Sequence, residues 1–201
     1  MEKEVIEIKL IDLLQKGINF YNQIATEKKF NCYDLIINTK DLVDKIDNQT
    51  EIKKRKHDIP KSVKDKFFID FDKLDRFINK KPCLYFFEYE HGLGIQILEE
   101  YKKFIINNKE RNLSGLKDYP DVETNILYVG KVKTGVGARL STHFGYANSK
   151  TGGLQLRFWA KELELNLKIH MIVFEENLGD YINPLELELT KKLNPLIGKS
   201  K

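Results

Sequence analysis

Arg139 and His143 stand four residues apart in "NILYVGKVKTGVGARLSTHFG" (125–145), behind Tyr128 and a glycine-rich turn that carries Lys131. The chain holds 34 Lys and Arg, and only five of them are Arg. An arginine in so lysine-rich a chain suits a task that lysine does poorly. A planar guanidinium grips two oxygens of one phosphate, whereas an ammonium is a point charge. At i and i+4 the two side chains share one helix face. Hydrolysis at phosphorus needs an attacking water, a group to take its proton, positive charge on the nonbridging oxygens and help for the departing oxygen. A tyrosine, with an ordinary pKa of about 10, is a poor base unless nearby cations lower it. Lys131 and Arg139 are the cations at hand, and His143 can accept or relay the proton.

The 201 residues suit one good-sized domain, or one domain with an appended helical segment. Hydrophobic residues make up 41%, with 12 Phe and 9 Tyr, enough for a packed core. No apolar run of about 18 residues occurs, so no membrane span is expected. The start, "MEKEVIEIKL", is charged from its second residue and does not read as a secretion signal. Cys32 and Cys83 are too few for a disulfide framework or a metal knuckle. A cytoplasmic protein with free thiols is expected. The net charge is +4, and residues 51–66 hold seven Lys and Arg against three Asp and Glu. This stretch, with Lys53, Lys54, Arg55 and Lys56, is either a phosphate-attracting patch or a solvated linker.

The elements that must position these residues can be read from periodicity. Residues 3–26 read as an amphipathic helix and 33–46 as a second one. A short helix is expected over 71–81, stopped by Pro82. "CLYFFEYE" (83–90), "NILYVG" (125–130) and "LKIHMIVFEE" (167–176) read as three strands. Helices are expected over 95–110, 136–144, 153–164 and 183–193, the last capped by Asn183 with Pro184 in its first turn. The expected class is α+β: a small three-stranded, largely antiparallel sheet flanked by helices, behind a helical N-terminal extension. The expected domains are residues 1–81, helical with the basic stretch, and 82–201, catalytic, with an insertion at about 91–124.

"CLYFFEY", then "LYVGK", then Arg139 with His143, then Glu186 nine residues before Pro195 in "ELELTKKLNP", resembles the GIY-YIG nuclease family over residues 82–198. "CLY" keeps only the Tyr of the first triplet, Tyr85; "YVG" keeps Tyr128 and Gly130 of the second. Tyr128 follows Tyr85 by 43 positions, which makes 91–124 an insertion. Gly198 stands where members often have Asn, and Asn194 is nearby.

The resemblance implies a DNA endonuclease dependent on Mg²⁺ (or Mn²⁺). Tyr85 would be the general base, Tyr128 would orient water or phosphate, Arg139 would grip the phosphate and Glu186 would hold the metal. Lys131 and His143 would complete the catalytic set. Glu186 also sits three residues after Asn183, where it could instead complete a capping box. Histidine rather than tyrosine at 143 tilts the reading towards restriction. The implied partners are double-stranded DNA, a second copy of the chain because a duplex has two strands to cut, and a cognate DNA methyltransferase; no membrane is implied. Lys53, Lys54, Arg55, Lys56 and Lys133 would contact DNA, and 107–112 and 146–151 would read bases. Two rivals stand beside this: a structure-selective repair, homing or mobile-element nuclease, and an inactive nucleic-acid-binding module. His170, in an alternating strand, reads as structural, and Trp159 as core. "GKVKTGVG" lacks the Walker spacing.

Overall fold

Period-two burial picks out the strands. In β2 (Cys83–Tyr89), Cys83, Tyr85, Phe87 and Tyr89 are buried on one face, while Phe86 and Glu88 lie half-buried on the other. In β1 (Phe30–Asn38), Leu35 and Ile37 are buried and Ile36 between them is 50% exposed. The computed structural model describes residues 3–42, 78–146, 152–175, 178–179 and 181–198. Within them β1, β2, β3 (Ile126–Val132) and β4 (Asn166–Phe174) form one sheet in the order β1-β4-β2-β3. β2 pairs antiparallel with both β3 and β4, which places it centrally. Helices are α1 (Lys3–Glu27), α2 (Gly94–Asn107), α3 (Val136–Phe144) and α4 (Ile182–Leu193).

The chain is therefore α+β, but its sheet has four strands, not three. The extra strand comes from 33–46, expected as a helix. "YDLIIN" is compatible with either period, and pairing beside β4 decides it. Asp34 meets Lys168 at 2.9 Å and His170 at 2.9 Å, and Asn38 meets Asn166 at 2.7 Å, the descending register of antiparallel neighbours. A second expected helix, 153–164, is only a 3-10 turn at Leu156–Phe158. Its apolar spacing is helical, but Gln155 and Glu164 adopt left-handed backbone (φ 53° and 46°) and interrupt it. The short helix over 71–81 falls mostly outside the described residues.

Chain contacts separate two units, Met1–Asn31 and Cys32–Lys201. The first is essentially α1, laced by exposed i,i+4 pairs such as Lys16 with Asp12. In the second, the sheet draws on residues from both sides of the boundary expected at 81. Both cysteines are free, and no described helix is long and apolar enough to cross a membrane.

One buried side chain ties the end of β1 to the loop before β4. Thr39 is wholly buried, donates to the Ala160 carbonyl at 2.6 Å and accepts from the Leu165 N–H at 2.8 Å. Thr39→Val keeps the shape and leaves the Leu165 N–H without its acceptor. Stability should fall by about 1–3 kcal/mol, read from urea unfolding. An unchanged midpoint would show that this anchor carries no weight.

Candidate functional site

Tyr85 lies at the middle of the central strand, wholly buried. Its neighbour in register on β3 is Gly130. A Cβ at Gly130 would fall 2.5 Å from the Tyr85 hydroxyl oxygen and 2.8 Å from the Tyr128 ring. Glycine there makes room for both tyrosine rings, whose centroids are 6.4 Å apart. Tyr128 faces Phe87 in register, so the two tyrosines sit diagonally on one face of the sheet.

α3 lies over that face and brings Arg139 and His143 to one oxygen. Arg139 Nε donates to the Tyr85 hydroxyl at 2.9 Å, and His143 Nε2 lies 3.0 Å from the same atom. Arg139 also donates to the Gly152 carbonyl at 2.5 Å and to the Tyr128 hydroxyl at 3.5 Å. The His143 tautomer follows from its other nitrogen. Nδ1 accepts the Leu154 N–H at 3.2 Å, so the ring proton is on Nε2 and points at Tyr85. His143 is thus a donor here, not the proton acceptor that its residue type allows. Burial, and then Arg139, hold its pKa well below the usual imidazole range, so it stays neutral. The Tyr85 phenol is pushed well up by burial, and then by Tyr128, despite the opposing pull of Arg139.

The start of α3 is held from outside its own segment. Gly135, in left-handed backbone (φ 80°), precedes the helix, and the Asn79 side-chain oxygen accepts the Gly137 N–H at 3.1 Å. Asn79 thereby caps the helix that carries Arg139.

Glu186 approaches from α4. Its side chain is 12% exposed, against 70% for Glu188, and Lys131 Nζ donates to it at 2.5 Å. The capping-box explanation does not hold. Asn183 lies inside the helix, and Tyr181 occupies the cap position with no side-chain cap bond. Glu186, Tyr128 and Arg139 line one cavity of about 330 Å³, together with Leu113, Ser114, Gly115, Gly152 and Gly198. Tyr85 lies behind Arg139 and is not in this wall.

The structure thus connects all six expected catalytic residues: Tyr85, Tyr128, Arg139 and His143 by hydrogen bonds, and Lys131 with Glu186 by an ion pair. Lys133 is exposed and does not line the cavity. Lys53, Lys54, Arg55 and Lys56 lie outside the described residues, as does 147–151 of the expected base-reading segment. Asn194 ends α4 in left-handed backbone (φ 45°) and bonds Lys117 and Asp121 of the insertion. Among the described residues no cluster of three or more His, Cys, Asp or Glu suits a metal.

Two contributors were not legible in the sequence. The insertion supplies a wall: Ser114 N–H bonds the Gly153 carbonyl at 3.2 Å, and Gly198 N–H bonds the Gly115 carbonyl at 2.9 Å. Residues 152–154 supply the acceptor for Arg139 and the donor for His143 through backbone alone, and their sole signal was the glycine pair. The chain matches no family model, no curated protein and no solved structure.

Gly130→Ala should push the Tyr85 hydroxyl off Arg139 and His143. The expected result is a loss of about 1–3 kcal/mol in stability, as for other overpacked cores. A crystal structure of the variant with Tyr85 unmoved would contradict the close-approach argument. The buried hydroxyls also set an alkaline limit. Burial pushes the Tyr89 phenol and the Cys83 thiol up to about 12, and raises Tyr85 and Tyr101 as well. The folded state holds these protons more tightly than the unfolded state. Their contribution is full below the ordinary thiol and phenol ranges, and is lost as pH rises through about 9–10 towards 12. The part of the phenolate absorbance near 295 nm that comes from the buried tyrosines should therefore appear together with loss of helix, and full development of that absorbance in a still-folded protein would contradict this.

Proposed function

We propose that this chain is a GIY-YIG-type endonuclease that hydrolyses phosphodiester bonds in double-stranded DNA. One observation carries the reading: residues from β3, α3 and α4 line a single cavity, with Tyr85 of β2 behind Arg139, and together they hold the donor set such chemistry needs. The scissile phosphate would enter the cavity against Arg139. A guanidinium has five donors; Arg139 uses Nε on Tyr85 and shares the rest among Gly152, Tyr128 and the substrate. Tyr85 and His143 hold Arg139 and Tyr128 in place. Tyr128 lines the cavity, and its phenol would orient the water. Tyr85 could serve as general base only once its hydroxyl is reachable from the cavity.

The donor set fits Mg²⁺, or Mn²⁺, in the sparse form that this ion tolerates: one carboxylate, with water and phosphate oxygens completing the shell. Glu186 is that carboxylate, and Lys131 must share or release it. When bound, the ion supplies positive charge at the nonbridging and departing oxygens. Arg139 and Lys131 add to that charge from the protein side. A restriction role with a partner methyltransferase is carried forward on the same reading, with His143 as its motivation, and a homodimer because a duplex has two strands to cut.

The inactive binding module has one observation in its favour. Lys131 pairs with Glu186, which occupies the carboxylate that a metal would need. Glu186→Gln separates the two readings because it removes the charge and keeps the size. Cleavage of plasmid DNA with Mg²⁺ should fall by at least 100-fold while the fold survives by circular dichroism. A parent protein that binds duplex DNA without cutting it would establish the module. Variant and parent cutting alike would remove Glu186 from the site. Discrete fragments with a shared end sequence favour restriction; preferential cutting of a branched junction favours the structure-selective enzyme.

A further inference from the structure

Among the described residues, three that line the cavity carry a hydroxyl: Ser114, Tyr128 and Thr190. Thr190 Oγ1 donates to the Glu186 carbonyl one turn back in α4, at 2.7 Å. The Tyr128 hydroxyl accepts from Arg139 at 3.5 Å. The Ser114 hydroxyl has no hydrogen-bond partner in the protein. Nor is it sealed away: the buried side-chain atoms left without a partner among the described residues are Arg111 Nε and Ser141 Oγ. Ser114 is half-buried, and an oxygen there that is neither bonded nor sealed opens to solvent. The space that Ser114 lines is the cavity.

A loose surface serine would mean little, but Ser114 is held. Its N–H donates to the Gly153 carbonyl at 3.2 Å, and its carbonyl accepts from the Tyr101 hydroxyl of α2 at 2.8 Å. Its neighbours are tied as well. Leu113 bridges to Gly153, and the Gly115 carbonyl accepts the Gly198 N–H at 2.9 Å. With both backbone groups used, the hydroxyl is the polar group that Ser114 has left to offer.

The same ties set its place in the site. Gly152 gives its carbonyl to Arg139 and Gly153 gives its own to Ser114, and consecutive Cα atoms are about 3.8 Å apart. Ser114 and the Arg139 guanidinium are therefore anchored to adjacent residues. On the other side, Gly115 is tied to Gly198, beyond the end of the helix that carries Glu186. Ser114, Arg139 and Glu186 line one cavity of about 330 Å³, and Gly115, Gly152 and Gly198 add wall without side chains.

A phosphodiester has two nonbridging oxygens, and one guanidinium does not exhaust their acceptor capacity. A hydroxyl donates well to an anionic oxygen. It brings no positive charge, so it neither competes for Glu186, as Lys131 does at 2.5 Å, nor repels a cation bound there.

We propose that Ser114 donates its hydroxyl to a nonbridging oxygen of the phosphate in the cavity and so fixes that phosphate for attack. The inference rests on the nuclease reading and adds to it a substrate-binding residue from the insertion.

The test compares the full-length parent with Ser114→Ala and Ser114→Thr. Alanine removes the hydroxyl and keeps both backbone bonds. With Mg²⁺ and saturating protein, the rate of plasmid cleavage by Ser114→Ala should fall by about 10- to 100-fold, the range for one hydrogen bond to a charged group. Ser114→Thr should restore most of the rate. The urea midpoint of Ser114→Ala should match the parent's. So should its slope of log affinity for a fluorescent duplex against log salt, because a neutral hydroxyl releases no counterion. Equal cleavage by parent and Ser114→Ala overturns the inference and leaves the nuclease reading standing. A parent that cuts no DNA overturns both. A lost rate with a lowered urea midpoint and no rescue by threonine assigns Ser114 to structure alone and overturns the inference. If Ser114→Ala does not fold, a crystal structure of the parent with duplex and Ca²⁺ decides. Ser114 Oγ should lie about 2.5–3.0 Å from a nonbridging oxygen, and an Oγ that meets only water overturns the proposal.

Discussion

Everything in this site depends on where one phenol oxygen is placed. The Tyr85 hydroxyl is enclosed by the sheet and α3, accepts from Arg139 Nε, and faces a histidine whose only proton points at it. A buried guanidinium must have its donors satisfied or lose far more than it gains. The Tyr85 oxygen, the Gly152 carbonyl and the Tyr128 hydroxyl provide this for Arg139. Burial opposes the charge, but those tyrosine oxygens outweigh it, and Arg139 remains a cation. Gly130 is the permissive element, because any side chain there would occupy the space of the Tyr85 ring.

Around that oxygen the fold works from the backbone outward. Residues 152–154 contribute a carbonyl to Arg139 and an N–H to His143, and Gly153 packs so tightly on Thr142 that a Cβ would sit 2.9 Å from its methyl group. The insertion then bridges Gly153 and Gly198 and closes one side of the cavity. A segment that looks like an appendage is thus part of the wall. The same segment carries Arg111, whose Nη1 donates to the Gln155 side-chain oxygen at 2.8 Å.

The opposite face of the sheet has a different chemistry. His170 on β4 stacks on Phe86 at 4.4 Å and places one ring nitrogen 2.9 Å from Asp34 on β1 and the other 2.7 Å from Glu88 on β2. It laces three strands, which is the structural role its alternating position suggested. Trp159 is likewise core, with its indole N–H on the Leu154 carbonyl at 2.8 Å.

By itself the sequence determined the strands around Tyr85, Tyr128 and His170, the helices at 94–107, 136–144 and 182–193, and the pairing of Arg139 with His143 on one helix face. These are local matters: strong periodicity, glycine and proline punctuation, and i,i+4 geometry. Tertiary structure alone decided the rest. Residues 33–38 became a fourth strand because β4 offered an unpaired edge, which no local pattern reveals. The stretch 153–164 failed as a helix because anchoring Arg111 and Thr142 requires left-handed and glycine backbone there. Asn183 is not a cap because α4 begins one residue earlier, which leaves Glu186 to meet Lys131 across 55 positions. A contact between residues so distant in sequence depends on how the elements pack, and that information is spread over the whole core.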